Sequence, residues 1–156
     1  QEYDAIILSL AGLARLNLDH LVTEVLDHKL FLPAACQGAV GVQALKKSKI
    51  INIFSPINDL QTQLECMAER RVLKNINANC NSPVSVYARI SENRIGIKLE
   101  MYDHEGNKIF KKSLEDEKLN YLKLSDVVSK EIIQTLGQTK IDELDNLKND
   151  FDYTPN

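Results

Sequence analysis

Residues 84–110 read VSVYARISENRIGIKLEMYDHEGNKIF, and this stretch decides the fold of the second half of the chain. Apolar and polar residues alternate over 84–90 and again over 95–101. Alternation with a period of two is typical of a strand that buries one face. Polar turn residues separate the segments at 91–93 and, around a glycine, at 103–107. The stretch therefore predicts an antiparallel meander of three strands.

A helix is predicted on each side of the meander. The first follows two candidate N-caps, Asn58 and Asp59, and the second has a candidate N-cap at Ser125 and ends at Gly137. Their apolar stripes consist of Leu60, Leu64, Ala68, Val72 and Ile76 in the first helix and of Val128, Ile132, Ile133 and Leu136 in the second. The order α-β-β-β-α over 59–137 predicts a compact α+β domain. A weak helix and a frayed end are expected after it.

The first part of the chain has a different pattern. An apolar run over 3–10 predicts a buried strand, the segment 13–26 has helical spacing, and residues 36–42 indicate a second strand entered through a glycine-rich turn. Neither predicted strand has an obvious partner within the first 55 residues. Because the chain also begins at Gln1, without an initiator methionine, we expect it to be part of a longer protein.

Composition excludes several classes of function. The 156 residues carry a net charge of −3, which gives no support for general nucleic-acid binding. The longest apolar run is far too short to cross a bilayer. Three cysteines without a CxxC motif argue against a disulfide framework or a zinc ribbon, and the histidines are isolated, so no metal site is expected. A reducing, cytoplasmic location fits this cysteine usage best.

Cys80 is the residue whose surroundings indicate chemistry. It lies in a polar loop, 77–83, between the predicted helix and the first strand. Arg70, Arg71 and Lys74 precede it on the helix, and nearby cations favour the nucleophilic thiolate form of cysteine. Two simpler interpretations stay open: a free thiol without a role, and three cations that form a solvated helix face.

The other two cysteines are expected to take no part in chemistry. Cys66 lies within the predicted helix and is expected to be packed. Cys36 lies in a turn and is expected to be inert.

The sequence around Cys80 resembles the cofactor-attachment signature of the porphobilinogen deaminase family. The matching residues are Glu69, Arg70, Ile76, Cys80, Pro83, Val84 and Ser85. Residues 32–41, LPAACQGAVG, resemble the family's Leu-Pro-Ala-x-Gly-Gln-Gly-Ala motif, with Cys36 where glycine is usual. Stretches over 3–16 and 58–70 fit the family in the same order. Ala78 and Asn79 stand where the family mostly has two small residues, usually glycines; asparagine tolerates a left-handed backbone better than most residues, so the turn is expected to survive at Asn79.

The resemblance implies a three-domain architecture of which roughly the first half is missing here. Residues 1–32 correspond to the end of a second α/β domain of periplasmic-binding-protein-like fold. Residues 33–57 correspond to a segment that crosses toward the missing first domain. Residues 58–156 correspond to the α+β cofactor-attachment domain. The fold class is therefore expected to combine α/β and α+β parts, and the intact protein is expected to be a monomer.

The resemblance also implies a function and a set of site residues. The family is a transferase of porphyrin and heme biosynthesis that joins porphobilinogen into a linear tetrapyrrole, with loss of ammonia, on a dipyrromethane cofactor. Cys80 would hold that cofactor through a thioether, and Arg15 would bind its carboxylates in a bidentate fork. Ser9, Gln37 and Gly38 would supply polar and backbone contacts at the domain cleft.

This interpretation has one consequence for activity and leaves two alternatives open, one of which is an enzyme cut by proteolysis whose two pieces stay associated. The family's catalytic aspartate belongs to the missing portion, so no catalytic residue is expected in this chain and the chain alone is expected to be inactive. A non-catalytic binding or interaction module that kept the fold is the alternative function. Arg15 as a surface residue and Gln37 as a plain turn residue are the simpler interpretations of those positions.

Overall fold

The alternating stretch forms a three-stranded antiparallel sheet in the computed structural model, which describes residues 3–79 and 81–145. The strand order is the order of the sequence, as predicted for a meander. The described elements are α1 (Leu10–Arg15), α2 (Ile51–Phe54), α3 (Leu60–Asn75), β1 (Val84–Ser91), β2 (Arg94–Tyr102), β3 (Lys108–Glu117), α4 (Tyr121–Leu136) and α5 (Gln138–Asp145), with 3-10 turns at Asp19–Leu21, Ser55–Ile57 and Lys118–Asn120.

The core lies between one face of the sheet and the helices α3 and α4. Val86 is opposite Leu99 in the register, and Ile97 is opposite both Ala88 and Leu114. The alternation therefore places these apolar side chains on one face, toward the helices. The buried apolar residues of the core are Ala68, Val72, Ile76, Val86, Ala88, Ile90, Ile95, Ile97, Leu99, Met101, Phe110, Leu124, Val128, Ile132, Ile141 and Leu144. The predicted α-β-β-β-α domain is confirmed.

Helix α3 begins as its sequence predicts. The Asp59 side chain accepts a hydrogen bond of 2.6 Å from the backbone N–H of Thr62, so Asp59 is the N-cap. The apolar stripe is buried from Ala68 onward, whereas Leu60 is exposed at the start of the helix.

Polar contacts fix α4 against α3. The Asp126 carboxylate accepts hydrogen bonds of 2.7 Å from Arg71 Nε and 2.7 Å from Asn75 Nδ2. These two donors hold the pKa of Asp126 below its ordinary value. Ser125 is buried, with its hydroxyl 2.8 Å from the Tyr121 carbonyl oxygen and 3.0 Å from that of Ala68.

The start of α4 corrects one prediction. Ser125 is not an N-cap, because the helix begins a turn earlier, at Tyr121, after the cap position Asn120. The hydroxyl of Ser125 serves the contact with α3 instead. The predicted end at Gly137 is confirmed, and its φ of 81° is a conformation that glycine adopts without strain. The weak helix expected next is α5, and the expected frayed end over 146–156 falls outside the described residues.

The predictions for the first 58 residues are wrong in their local structure. No strand precedes β1 within residues 3–79. The segments 3–10 and 36–42 stay irregular, and instead of a helix over 13–26 the chain forms only the short α1 and one 3-10 turn. A strand needs a neighbour for its backbone hydrogen bonds. The described part of the chain offers none to either segment, and side chains such as Ile6 and Ile7 are about 70% exposed.

We expect Ile97→Ala to destabilise the α+β domain by about 2–5 kcal/mol, because the side chain is fully buried between sheet and helices. Urea unfolding followed by circular dichroism measures this change. The matched control is Ile53→Ala, since Ile53 is 70% exposed and its truncation should leave the midpoint unchanged. Equal effects of the two substitutions would contradict the placement of the core.

We expect Asp126→Asn to lower stability slightly at neutral pH, and by less than Ile97→Ala, because the Arg71–Asp126 pair is partly exposed. The folded-state pKa of Asp126 lies below its ordinary value of 3.8, so the carboxylate contributes stability above that pH. This contribution is lost as the pH falls through the folded-state pKa. The difference between variant and wild type should therefore shrink as the pH falls below 3.8. Urea unfolding at neutral pH and at a series of acidic pH values checks this, with Glu115→Gln as an exposed control; a constant difference would contradict it.

Candidate functional site

The chain leaves α3 through a tight helix end that leads into the loop of Cys80. Asn77 has a φ of 59°, and its N–H donates to the Lys74 carbonyl at 3.2 Å. The N–H of Ala78 donates to the Leu73 carbonyl at 2.9 Å. This pair of hydrogen bonds is a Schellman motif with asparagine at the left-handed position. The left-handed residue at this helix end is therefore Asn77 rather than Asn79, so the tolerance expected of Asn79 is not used there.

Side chains close the loop on both sides of position 80, and Cys80 itself lies outside the described residues. The N–H of Asn79 donates to Ser82 Oγ at 2.7 Å, and the N–H of Ser82 donates back to the Asn79 carbonyl at 3.2 Å. Asn79 Oδ1 accepts from the N–H of Asn81 at 2.8 Å. Asn79 and Asn81 are exposed. We call residues 76–83 the anchor loop; its sequence makes a defined turn at the surface of the domain.

The anchor loop is also tied to the rest of the domain. Gln138 Nε2 donates to the Ile76 carbonyl at 3.1 Å, where α3 ends. The Pro83 carbonyl accepts from the N–H of Tyr102 at 2.9 Å, where β1 begins. Both ends of the loop, at Ile76 and Pro83, are thereby fixed to elements of the domain.

The three cations before the loop have different roles. Arg71 is bound to Asp126, so it joins α3 to α4. Arg70 and Lys74 are exposed, and neither makes an ion pair within residues 3–79 and 81–145. Arg70 lies close enough to Cys36 to oppose, in small part, the other causes that raise the pKa of that thiol. Two cations of the three therefore remain available to an anionic group.

Two glutamates on α3 hold the free edge of the sheet. Glu65 Oε1 accepts from the N–H of Ile90 at 2.7 Å, and Glu69 Oε1 accepts from the N–H of Ala88 at 2.8 Å. Because β1 is an edge strand, these N–H groups have no strand to bind. We call Glu65 and Glu69 the edge clamp. Sequence reasoning missed this role, although two glutamates spaced four apart on a helix that faces a strand were its visible signal.

Glu69 also connects the crossing segment to the domain. Its second oxygen, Oε2, accepts from the N–H of Cys36 at 2.5 Å. Burial raises the pKa of Glu69, and the two backbone N–H donors act in the opposite direction. Leu32 is buried nearby, with its carbonyl oxygen 3.2 Å from Ser85 Oγ. Two stretches that the sequence analysis singled out, 32–41 and 68–70, therefore meet at the edge of β1.

Cys36 occupies a backbone conformation that suits glycine. Its φ is 60°, in the left-handed region, at the motif position where the resembled family usually has glycine. Burial, followed by the neighbouring Cys66 and Glu69, raises the pKa of the Cys36 thiol to about 12. A thiol in this state is a poor nucleophile at neutral pH, which accords with the inert role expected for Cys36.

The remaining candidate residues lie on the exposed first part of the chain. Ser9 caps α1, with Oγ accepting from the N–H of Gly12 at 3.4 Å. Arg15 ends α1 and is exposed, without an ion pair in the described part of the chain. Gln37 and Gly38 are exposed just after the docked Cys36, and Gly38 has a φ of 83°. The structure thus brings Gln37 and Gly38 near α3, while Ser9 makes its hydrogen bonds within α1.

The described residues contain neither a metal-binding cluster nor a membrane-spanning helix. No group of three or more His, Cys, Asp or Glu side chains there is arranged to hold a metal ion. No helix among them has both the length and the apolar character needed to span a membrane.

Comparisons with known proteins give one consistent family. Residues 1–52 match the family model described as porphobilinogen deaminase, dipyromethane cofactor binding domain, and residues 63–134 match the model described as porphobilinogen deaminase, C-terminal domain. The chain is 34% identical over 134 residues to the porphobilinogen deaminase of Clostridium beijerinckii. The aligned region covers 86% of this chain and 45% of the relative. A porphobilinogen deaminase of Clostridium botulinum strain 657 is 32% identical over 134 residues, covering 86% of this chain and 46% of the relative.

The chain spans less than half the length of these curated relatives. The two family models, the second of them the C-terminal domain, nevertheless follow one another along the chain and together match most of it, including most of α3, the anchor loop and the sheet. The chain therefore belongs to the porphobilinogen deaminase family.

Proposed function

We propose that the protein containing this chain joins porphobilinogen units head to tail, with release of ammonia, and finally releases a linear tetrapyrrole. The part assigned to this chain is to carry the dipyrromethane cofactor on Cys80. The observation that carries the proposal is the anchor loop: Asn79 and Ser82 are hydrogen-bonded to each other, both ends of the loop are fixed to the domain, and the residues on either side of Cys80, Asn79 and Asn81, are exposed. Family membership supplies the chemistry.

Attachment requires a nucleophile, and Cys80 is the sulfur at that position. The aminomethyl carbon of a porphobilinogen-type pyrrole becomes electrophilic as ammonia leaves. A thiolate forms a carbon–sulfur bond to this carbon, and the thiol proton departs with the amine as ammonia. When bound, the cofactor supplies a pyrrole carbon on which further units are added. The chain's own contribution is to carry the sulfur between residues that the contacts of Asn79 and Ser82 hold in place.

Charge complementarity supports the same assignment. Acetate and propionate groups make the pyrrole chain a polyanion, for which guanidinium is the best protein ligand. Arg70 and Lys74 are exposed on the helix that leads into the anchor loop, and Arg15 is exposed on α1. We assign these three cations to the carboxylates, and we assign Ser9, Gln37 and Gly38 to the cleft beside them. Arg71 is left out, because Asp126 occupies it.

The partner we propose is the portion of the protein that the chain lacks relative to its relatives. Many large apolar side chains are exposed within 3–57. The surface of a monomeric protein rarely exposes so many large apolar side chains in one stretch of chain. Examples are Ile6, Ile7, Leu8, Leu21, Leu30, Val40, Leu45, Ile53 and Ile57. We propose that this segment completes α/β domains formed by an N-terminal portion, which also supplies the catalytic aspartate. On this proposal the intact protein is a cytoplasmic monomer, with domain limits near 32 and 57.

We expect the chain to gain a mass equal to two linked pyrrole units when it is produced together with the N-terminal half of the Clostridium beijerinckii relative in porphobilinogen-rich cells. The reason is that the combined halves supply both the anchor and the catalytic acid. Intact-mass spectrometry measures the addition, and a denaturing gel of the purified sample shows whether both pieces are present. Cys80→Ala should remove the added mass, whereas the matched control Cys66→Ala should keep it.

Three outcomes would contradict the proposal. Bare wild-type chain in a sample that holds both halves would favour the alternative, a binding module that kept the fold. Added mass that persists in Cys80→Ala would place the anchor on another residue. Halves that do not co-purify would refute the proposed partner.

We expect the purified 156-residue chain alone to show no tetrapyrrole formation from porphobilinogen, because the proton-transferring acid of the reaction is assigned to the other portion. Absorbance of the oxidised product measures turnover, and the co-produced halves are the positive control. Measurable turnover by the chain alone would refute this division of roles.

A further inference from the structure

Cys36 and Cys66 meet where the crossing segment docks on α3. Cys36 Sγ lies 3.7 Å from the carbonyl oxygen of Cys66. One turn farther along the helix, Glu69 holds the N–H of Cys36 and so fixes its backbone beside α3. The contact joins residues 30 positions apart in the chain, and it is maintained by both the backbone and the side chain of Cys36.

The two cysteines are neighbours at this contact. A disulfide needs the β-carbons of its two cysteines about 3.5–4.5 Å apart. The Cys36 sulfur already contacts the backbone of Cys66, at the carbonyl oxygen. The two thiols are already close enough for Cys66 to raise the pKa of Cys36. Both are free and half-buried.

We propose that Cys36 and Cys66 form a reversible disulfide that locks the docked segment 32–36 to α3. The oxidant is a low-molecular-weight disulfide. One cysteine thiolate attacks it, which forms a mixed disulfide and releases the first small thiolate. The other cysteine, after losing its proton, attacks the protein-bound sulfur and releases the second. Two protein thiols are oxidised, one small disulfide is reduced to two thiols, and the two cysteine protons end on them.

The surroundings of Cys36 make this closure slow at neutral pH. In either order of attack, each cysteine acts once as the nucleophile. Cys36 has a pKa of about 12 because of burial, Cys66 and Glu69, with Arg70 as the only cause acting in the opposite direction. Because little of Cys36 is in the thiolate form, brief exposure to an oxidant leaves both thiols reduced. The disulfide forms only when the oxidising condition is sustained. The proposal is independent of the function assigned to Cys80.

The sequence allows an unambiguous test on the complete chain. Trypsin places the three cysteines in three different peptides, 30–46, 50–70 and 75–89. The folded protein is incubated with oxidised glutathione in mildly alkaline buffer, alkylated and digested without reduction. We expect a linked pair of peptides 30–46 and 50–70, an intact mass lower by two hydrogen atoms, and a thermal midpoint raised by several degrees. Dithiothreitol should reverse all three changes.

Variants and solution conditions show whether the link depends on the contact between Cys36 and Cys66 in the folded chain or forms at random between thiols. Cys66→Ser should abolish the link, and the matched control Cys80→Ser should keep it. The proposal is overturned if both thiols are recovered alkylated, if glutathione stays on either cysteine without closure, or if the link forms only in guanidinium. A link from either cysteine to peptide 75–89 in the folded chain would equally overturn it.

Discussion

Two buried carboxylates determine how the described part of this chain is held together. The edge clamp, Glu65 and Glu69, accepts the N–H groups that β1 directs away from the sheet. Without these acceptors the strand would bury unpaired donors against α3, at a cost of about 1–3 kcal/mol each. The same Glu69 carboxylate holds Cys36 with its second oxygen. A single side chain thus joins the helix, the strand edge and the crossing segment, and this explains why its own burial is tolerated.

The position of the clamp has a consequence for the anchor loop. The loop leaves α3 at Ile76 and enters β1 at Val84, so it connects the two elements that the clamp binds together. Its backbone conformation depends on a fixed spacing between them. Any movement of α3 relative to β1 would have to break hydrogen bonds at Ala88 or Ile90. The tether that we propose at Cys80 relies on this fixed spacing between the two elements that flank it.

Local patterns were sufficient for the α+β domain and insufficient elsewhere. The alternation over 84–101 and the four-residue spacing in α3 each correspond to burial against a partner that lies within the same 80 residues, so pattern and fold agree. The run over 3–10 has an equally apolar composition, but its burial would need strands outside the described residues. Ser125 was assigned to a cap because caps favour serine, yet tertiary contact with Ala68 determines its place. The left-handed residue of the turn also depends on more than residue type. Asparagine stands at both 77 and 79, and the hydrogen bonds at the end of α3 put Asn77 in the left-handed conformation.

The distribution of apolar surface divides the chain into two parts. One part buries its apolar side chains against its own helices and strands, and the other leaves them exposed. Core residues from Ala68 to Leu144 are enclosed by elements of one domain, whereas Ile6, Leu30 and Leu45 are exposed although they are as apolar as the core. Burying one exposed side chain of this size contributes about 1.5–3 kcal/mol. A partner that covered many of the exposed side chains in the first 57 residues would therefore gain a large free energy of binding. The N-terminal portion that we propose as partner would bury these side chains. The contact at Glu69 and Cys36 is where that association would be transmitted to the anchor domain, since it is the point at which the dependent segment is already bound to the independent one.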